Sequence, residues 1–240
     1  MLVDAPVTTA LDNPIWHALS TVQAGFGRGT LSAKSFFPLI GPLSGIPDQS
    51  PASYAALAEV VQPGGVVALF LESDPAFPSS WSSVHADVMY QMIGDEPLRL
   101  APPGEFRELG STDVPQMISL AELTEPGPFL QRTRELGRFV GSFHEGQLAA
   151  MAGERLQLKG LREVSAVCTH PDHRGRGYAR ALMSEIIRGI VDRGETPFLH
   201  VRHRNVNAIA LYENMGFRIR RKLNLAVLRY EAQPDSDSAR

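Results

Sequence analysis

The amino-acid sequence predicts an α/β fold in which short strands alternate with amphipathic helices. The clearest strand is Val164–Thr169, a mostly small, β-branched and apolar run that Pro171 brings to an end. A helix is predicted from Ala179 onward, because apolar residues there recur at intervals of three and four. These residues are Leu182, Met183, Ile186, Ile187, Ile190 and Val191. A third observation is the proline- and glycine-rich connector 97–105, which divides the pattern into two regions.

The connector gives the predicted domain organisation. The chain has 240 residues, a length that allows one large domain or two small ones, each able to bury a core. We assign residues 1–104 to an N-terminal α/β region and residues 105–230 to a second domain. Residues 231–240 are polar and are predicted to form a frayed tail.

The N-terminal region contains two predicted helices and two predicted strands. Asn13-Pro14 and Ser50-Pro51 each place a capping residue before a proline, which favours a helix start. The apolar run Val66–Leu71 predicts a buried strand. Alternating apolar residues between Val84 and Met92 predict a second, half-buried strand.

The second domain has a longer series of predicted elements. Ser111 or Thr112 is expected to cap a helix, and no conformation is assigned to residues 125–134. The other predicted elements, in chain order, are a strand at 106–109, a hairpin formed by 137–143 and 147–156, the strand and helix described above, a strand at 197–201, a helix at 206–214, and either two strands or one bent strand at 217–230.

The loop between the central strand and helix has the features of an anion site. Gly175 and Gly177 permit a tight turn whose N–H groups point one way. The helix that follows adds its own unpaired N–H groups and the positive end of its dipole. The loop lacks the G-x-G-x-x-G pattern of dinucleotide folds and the G-x-x-x-x-G-K-[ST] pattern of P-loops. We interpret it as a cradle for a pyrophosphate.

Three further patterns resemble one family. Arg174-x-x-Gly177-x-Ala179 resembles the acyl-CoA signature [QR]-x-x-G-x-[GA] of the GNAT superfamily of N-acetyltransferases. The run from Asn205 through Tyr212 to Phe217 resembles the pattern N-x-x-A-x-x-x-Y-E-x-x-G-F of the same family. Glu163 precedes Arg174 by eleven residues, where histone-type members carry their catalytic glutamate. The resemblance covers about residues 106–230.

The resemblance implies a fold and an activity. The fold would be a GNAT-type mixed, mostly antiparallel sheet flanked by helices. The N-terminal region would then be either a diverged second GNAT-like domain or a lid over the substrate. The activity would be transfer of an acetyl group from acetyl-CoA to a primary amine by direct attack in a ternary complex. A small amine, an amino acid or a peptide could be the acceptor. The alternative is a non-catalytic acyl-CoA-binding sensor or structural module.

The resemblance also implies which residues bind acetyl-CoA. The backbone N–H groups from Gly175 to Arg180 would hold the phosphates, and Asn205 would contact the cosubstrate beside the thioester. Asn205 could equally cap the helix that follows it, and both roles are compatible. The complete predicted set is Val167, Cys168, Thr169, Arg174, Gly175, Arg176, Gly177, Tyr178, Ala179, Arg180 and Asn205. Of these, Val167, Cys168 and Thr169 would form the strand edge that binds pantetheine.

Tyr212 is the candidate general acid. The departing thiolate of CoA needs a proton, and a phenol can donate one as the thiolate develops. The family that the chain resembles uses a tyrosine at this place. The alternative is that Tyr212 only packs against Leu211 and Phe217 on one face of its helix.

Glu163 and His200 are the rival candidates for the base that takes the proton of the amine. Burial in a strand could raise the pKa of Glu163 toward neutrality and suit it to this role. Alternatively, Glu163 is an exposed carboxylate paired with Arg162 or Lys159. His200 competes because an imidazole titrates near pH 6.5.

Composition narrows the possible partners and compartment. The net charge of −3 gives no reason to expect nucleic acid, and no apolar run is long enough for a membrane span. Counting along the chain gives 3 basic and 9 acidic residues in 1–104; the totals of 23 and 26 leave 20 and 17 in 105–240, so the basic residues lie where the phosphates would bind. The single cysteine and the absence of a signal-peptide pattern at 1–9 predict a cytoplasmic protein. We predict no metal site, and the sequence does not indicate an oligomeric state.

Overall fold

Eleven strands form two sheets in the computed structural model, which describes residues 9–95, 97–102, 104 and 106–231. Three short strands, β1 (Gly27–Gly29), β2 (Lys34–Phe36) and β3 (Ser44–Gly45), make a small antiparallel sheet. The other eight are β4 (Val66–Leu71), β5 (Trp81–Ile93), β6 (Arg107–Glu108), β7 (Phe139–His144), β8 (Gln147–Leu158), β9 (Leu161–Thr169), β10 (Thr196–Arg202) and β11 (Arg218–Tyr230).

The eight strands form one sheet in the order β4-β11-β5-β10-β9-β8-β7-β6. Every neighbouring pair is antiparallel except β9 and β10, which run parallel. The predicted mixed, mostly antiparallel sheet is therefore confirmed. Of the two possibilities left open for residues 217–230, the structure shows one long strand whose register shifts twice against β5.

In the part of the chain that the structure describes, the sheets are accompanied by the α-helices α1 (Pro14–Ser20), α2 (Pro51–Val60), α3 (Val114–Thr124), α4 (Tyr178–Asp192) and α5 (Val206–Asn214). Ser50 caps α2 as predicted, since its side chain accepts a hydrogen bond from the Ser53 amide. The predicted cap at Asn13 is wrong, because its amide group donates instead to the Ile46 carbonyl at 2.7 Å. Ser111 and Thr112 do not cap α3 either, since they lie in a 3₁₀ turn that precedes it.

The two faces of the sheet are covered by different parts of the chain. Helix α4 packs on one face, where its apolar stripe meets Val140, Ala152 and Met92 in a single core cluster. On the opposite face, residues between Leu11 and Leu43 pack against Phe70 and side chains from the neighbouring strands. Alternation along each strand sends successive side chains to opposite faces, so a single sheet supports both cores.

The N-terminal region is part of the same sheet as the rest of the chain. Strand β5 pairs with β10 from Ile93 to Met89 and with β11 along its whole length, and β4 forms one edge beside β11. Two residues of the predicted connector are hydrogen-bonded to the second domain. The Arg99 amide donates to the Met215 carbonyl, and the Ala101 amide donates to the Ser184 hydroxyl. The two regions on either side of residue 104 therefore share one sheet and one set of cores.

Some expectations fall outside the described residues. These are the features assigned to residues 1–8, to position 96, to positions 103 and 105 of the connector, and to residues 232–240 of the polar tail. Among the residues that are described, no helix has the length and apolar character needed to cross a membrane.

Candidate active site

The candidate site lies where the two parallel strands of the sheet separate. Strands β9 and β10 pair only from Leu161 to Glu163, opposite residues 196–198. Beyond this point β9 turns away, because Ala166 adopts a left-handed conformation with φ of +50° and the register against β8 shifts. Such a conformation costs an alanine about 1–2 kcal/mol. Residues 164–167 and 199–202 thereby line a common cavity of about 270 Å³.

The glycine loop leads from the end of β9 into α4. Gly175 and Gly177 have φ of +76° and +80°. Both adopt the left-handed conformation that glycine permits, in keeping with the predicted tight turn. No side chain caps the start of α4. A Cβ added at either glycine would meet no protein atom within 4 Å, so the space above the loop is open to a ligand. The loop therefore leaves room for the predicted anion beside the uncapped start of α4.

The basic residues of the loop lie at its surface. Arg174, Arg176 and Arg180 are exposed. Arg176 donates to the Asp172 carbonyl at 3.3 Å, and Arg180 donates to the Arg99 carbonyl at 3.1 Å. The contact of Arg180 ties the connector between the two regions to the start of α4.

Asn205 caps the helix α5 and also lines the cavity. Its side-chain oxygen accepts a hydrogen bond from the Ala208 amide at 3.2 Å, so it caps α5. The same residue also lines the cavity. The cap fixes the side chain at the cavity wall.

Tyr212 projects from α5 to the cavity. Its ring lies 6.4 Å from that of Phe217, so the packing contact considered from the sequence is present as well. Burial raises the pKa of the Tyr212 phenol to about 12, with a smaller contribution from Cys168. The phenol is thus protonated at neutral pH where it lines the cavity.

The strand edge predicted to bind pantetheine lies beside this tyrosine. Val167 lines the cavity, while Cys168 and Thr169 pair with Met151 and Ala150 on β8. Burial raises the pKa of the Cys168 thiol to about 12, which keeps it protonated and unreactive.

Glu163 is buried, as one of the two expectations held, and it is ionised. Arg155 donates two hydrogen bonds to its carboxylate at 2.7 and 2.9 Å, and the Leu156 amide donates a third at 3.1 Å. Burial alone would raise the pKa of Glu163, but Arg155 and His200 together hold it well below its usual range. The expected rise toward neutrality is wrong for this reason. The alternative of an exposed carboxylate paired with Arg162 is also wrong, since Arg162 binds Glu195 instead.

His200 and Glu163 are partners, although the sequence presented them as rivals. The Nδ1 atom of His200 lies 2.7 Å from a Glu163 oxygen, and its Nε2 atom lies 3.1 Å from the amide nitrogen of Gln91. The other contacts of Gln91 assign its orientation, because its nitrogen donates to the Leu11 carbonyl and its oxygen accepts from Arg220. His200 therefore carries its proton on Nδ1 and accepts a hydrogen bond at Nε2.

Sequence reasoning missed two groups of residues at this site. The first is Arg155 and Gln91, which hold Glu163 and His200 in place. The second is the apolar wall of the cavity, which comes from both regions of the chain: Leu43, Ala68, Phe70, Met89, Leu225 and Val227. A partial signal existed only for Arg155, because the hairpin that turns at Lys159-Gly160 brings it close to Glu163. The register shift between Glu154 and Gln157, which a regular hairpin does not predict, also lies at this point.

Three comparisons with known proteins bear on this site. Residues 139–225 match the model of a family described as FR47-like protein, and this range includes the glycine loop and Tyr212. The chain is 30% identical over 134 residues to the [Ribosomal protein bS18]-alanine N-acetyltransferase of Escherichia coli K12, a match that covers 54% of this chain and 86% of the relative.

Solved structures extend the similarity to almost the whole chain. An acetyltransferase from the GNAT family of Novosphingobium aromaticivorans is 37% identical, with a TM-score of 0.86 and coverage of 92% of this chain and 99% of that one. A GCN5-related N-acetyltransferase from Kribbella flavida shares the fold at 12% identity, with a TM-score of 0.61. The first match spans the N-terminal region, so this region has a structural counterpart in another protein.

Proposed function

Because this chain belongs to the GNAT family of acetyltransferases, we propose that it moves an acetyl group from acetyl-CoA to a primary amine by direct attack in a ternary complex. The acceptor is a small amine, an amino acid or a peptide. The observation that carries the proposal is the cavity between the separated strands β9 and β10, which Tyr212 and Asn205 line together. Both the alanine acetyltransferase and the bacterial GNAT structure support the same reaction class.

The residues that would hold acetyl-CoA lie along one path. We assign the pyrophosphate to the amides of Gly175–Arg180, where the loop is open and α4 lacks a side-chain cap. We assign the pantetheine to the edge of β9 at Val167–Thr169 and the thioester end to the neighbourhood of Asn205. When bound, acetyl-CoA supplies an acyl carbon activated as a thioester.

We assign the general acid to Tyr212. The amine nitrogen forms a bond to the acyl carbon, and the bond from that carbon to sulfur breaks. The phenol of Tyr212 gives its proton to the departing sulfur, and the proton released by the amine passes to a base and then to solvent, from which Tyr212 regains a proton. The raised pKa of Tyr212 supports this role, because the phenol stays protonated until the thiolate develops.

We assign the base to His200, oriented by Glu163, in preference to Glu163 itself. The Glu163 carboxylate is held by a guanidinium and its pKa is depressed, so it is a weak base at neutral pH. Only a neutral amide holds the Nε2 atom of His200, and His200 lines the cavity. Taking a proton at Nε2, directly or through water, requires the hydrogen bond from Gln91 to open. The resulting imidazolium would be stabilised by the Glu163 carboxylate 2.7 Å away.

The test is release of free thiol from acetyl-CoA in the presence of amines, amino acids and peptides. Calorimetric titration of the purified protein with acetyl-CoA is run in parallel. Binding together with acceptor-dependent thiol release is the expected result. Binding without thiol release on any acceptor would indicate the sensor considered above, and failure to bind acetyl-CoA would overturn the proposal. We also propose a cytoplasmic location, in keeping with the single, buried free thiol of Cys168.

A further inference from the structure

The cavity has an apolar wall that the assignment of acetyl-CoA does not use. It consists of Leu43, Ala68, Phe70, Met89, Leu225 and Val227. Four of these are almost completely buried, with Leu43, Ala68, Phe70 and Met89 between 3% and 6% exposed. They belong to the face of the sheet that the N-terminal segment covers. Leu225 and Val227 are only partly buried, so these two side chains present most of the accessible surface of the wall to the cavity.

The strand register shows that this wall is one continuous patch. Phe70 lies directly opposite Leu225, and Ala68 lies directly opposite Val227, on the paired strands β4 and β11. Val227 also pairs with His85 on β5. Side chains opposite each other on neighbouring strands lie about 4.5–5.5 Å apart at Cβ and form one surface. Ala68 carries the smallest side chain of this surface.

The charged groups around the wall are unsuited to a second cationic group. Among the described residues that line the cavity, Glu125 is the only carboxylate, and it is exposed at the end of α3. Arg155 and Arg202 also line the cavity, and Arg155 already neutralises the buried Glu163. A diamine would bring its second ammonium group toward these guanidinium groups and the apolar wall, where desolvation is costly.

We propose that the acceptor carries its amine on an uncharged apolar body about the size of a leucine or phenylalanine side chain, and that this body lies on the patch formed by Ala68, Phe70, Leu225 and Val227. The inference rests on the proposed acetyltransferase function and specifies its substrate class. Two sources share this chemistry: a free monoamine, and the amino terminus of a peptide whose first residue is apolar. Pro128 lines the cavity and also two neighbouring hollows of about 610 and 380 Å³, which a following peptide chain could occupy.

The experiment measures kcat/KM by thiol release over matched acceptors. The free amines are 3-methylbutylamine, phenethylamine and 1,5-diaminopentane. The peptides share one sequence and begin with Leu, Phe, Asp or Lys. We expect the apolar acceptors to exceed the charged ones by roughly ten- to a hundredfold, the effect of burying one such side chain. Comparing the best amine with the best peptide identifies the source.

Two substitutions test the position of the patch. Ala68→Leu fills the floor of the cavity, and we expect it to lower kcat/KM for phenethylamine at least tenfold while the Kd of acetyl-CoA stays within twofold. Ala86→Leu is the matched control, because Ala86 is exposed on β5. If Ala68→Leu fails to fold, Leu225→Ala replaces it and should raise KM for the apolar acceptors.

The outcomes separate this inference from the proposed function. Equal rates over the panel, a preference for 1,5-diaminopentane or Lys-initiated peptide, or an Ala68→Leu variant that behaves like Ala86→Leu would overturn the acceptor class while leaving the acetyltransferase intact. Absence of both acetyl-CoA binding and thiol release would overturn the proposed function, and this inference with it.

Discussion

Replacing Arg155 by methionine should destabilise the protein more than the loss of a surface ion pair would. Arg155 makes two hydrogen bonds to Glu163, and their side chains are 13% and 1% exposed. Methionine keeps much of the length of the side chain but leaves the carboxylate buried without its cationic partner. Breaking a buried pair in this way costs about 3–5 kcal/mol in the free energy of unfolding. For a chain of this size, that corresponds to a fall in Tm of roughly 6–20 °C.

The loss should depend on pH with a defined sign. In the unmodified protein the pKa of Glu163 is lowered, so its contribution is present above the ordinary carboxyl pKa of about 4.3 and is lost as the pH falls through the folded value. In Arg155→Met the burial of the carboxyl group is no longer offset by the guanidinium, and its pKa should rise above the ordinary value. Its contribution is then present at low pH and is lost as the pH rises. The deficit of the variant should therefore shrink between pH 7 and pH 5.

Urea unfolding followed by circular dichroism at the two pH values measures this deficit. Arg132→Met is the matched control, because Arg132 pairs with Glu135 and both side chains are about two-fifths exposed, so its loss should be small beside that of Arg155→Met. The double variant Arg155→Met/Glu163→Gln leaves no buried charge and should recover at least half of the stability. A deficit equal to that of Arg132→Met, a deficit that grows on acidification, or a double variant no better than the single one would refute the reasoning.

Three further predictions concern the reaction. Tyr212→Phe should lower kcat by roughly a hundredfold or more without changing the Kd of acetyl-CoA, and undiminished turnover would remove Tyr212 as the acid. Gly177→Ala should cost about 1–2 kcal/mol of stability and should also weaken acetyl-CoA binding in calorimetry. Gly64→Ala is the control, because Gly64 has a φ of +79° and equally open surroundings, and this variant should show only the loss of stability. Equal binding of acetyl-CoA by both variants would contradict the assignment of the cradle. In pH–rate profiles, His200→Ala should lose the limb that reports deprotonation of the base, and Gln91→Leu should keep it; a limb that survives in His200→Ala would exclude this histidine as the base.

Local patterns predicted the fold well where the decisive interactions lie close in the chain. The strand Val66–Leu71 and the helix over residues 206–214 were predicted with the bounds that the structure shows. The helix starts at Pro14 and Pro51 were also predicted correctly. Their signals are a capping residue before proline and an apolar period, which act within one turn. The Asn13 cap failed because a tertiary partner, the carbonyl of Ile46, competes for its side chain.

Local sequence patterns did not predict that the N-terminal region contributes strands to the main sheet. A proline-rich connector predicts an interruption in secondary structure, and this interruption is real. It does not reveal that β5 inserts between β10 and β11, because strand pairing joins residues more than a hundred positions apart. The two predicted regions are therefore consecutive in the sequence, but in the fold the hydrogen bonds of one sheet join them.

The sequence by itself determined the loop from Thr169 to Tyr178, with its two left-handed glycines, and the presence of Tyr212 on the short helix α5. Left-handed φ values and helix starts are properties of a few consecutive residues, so they can be inferred from those residues alone. Only the tertiary structure decided what Glu163 does. Its partners Arg155 and His200 come from two other strands, and Gln91 from a third completes the network. Whether a buried carboxylate is a base or the anion of an ion pair depends on these neighbours, which no local pattern specifies.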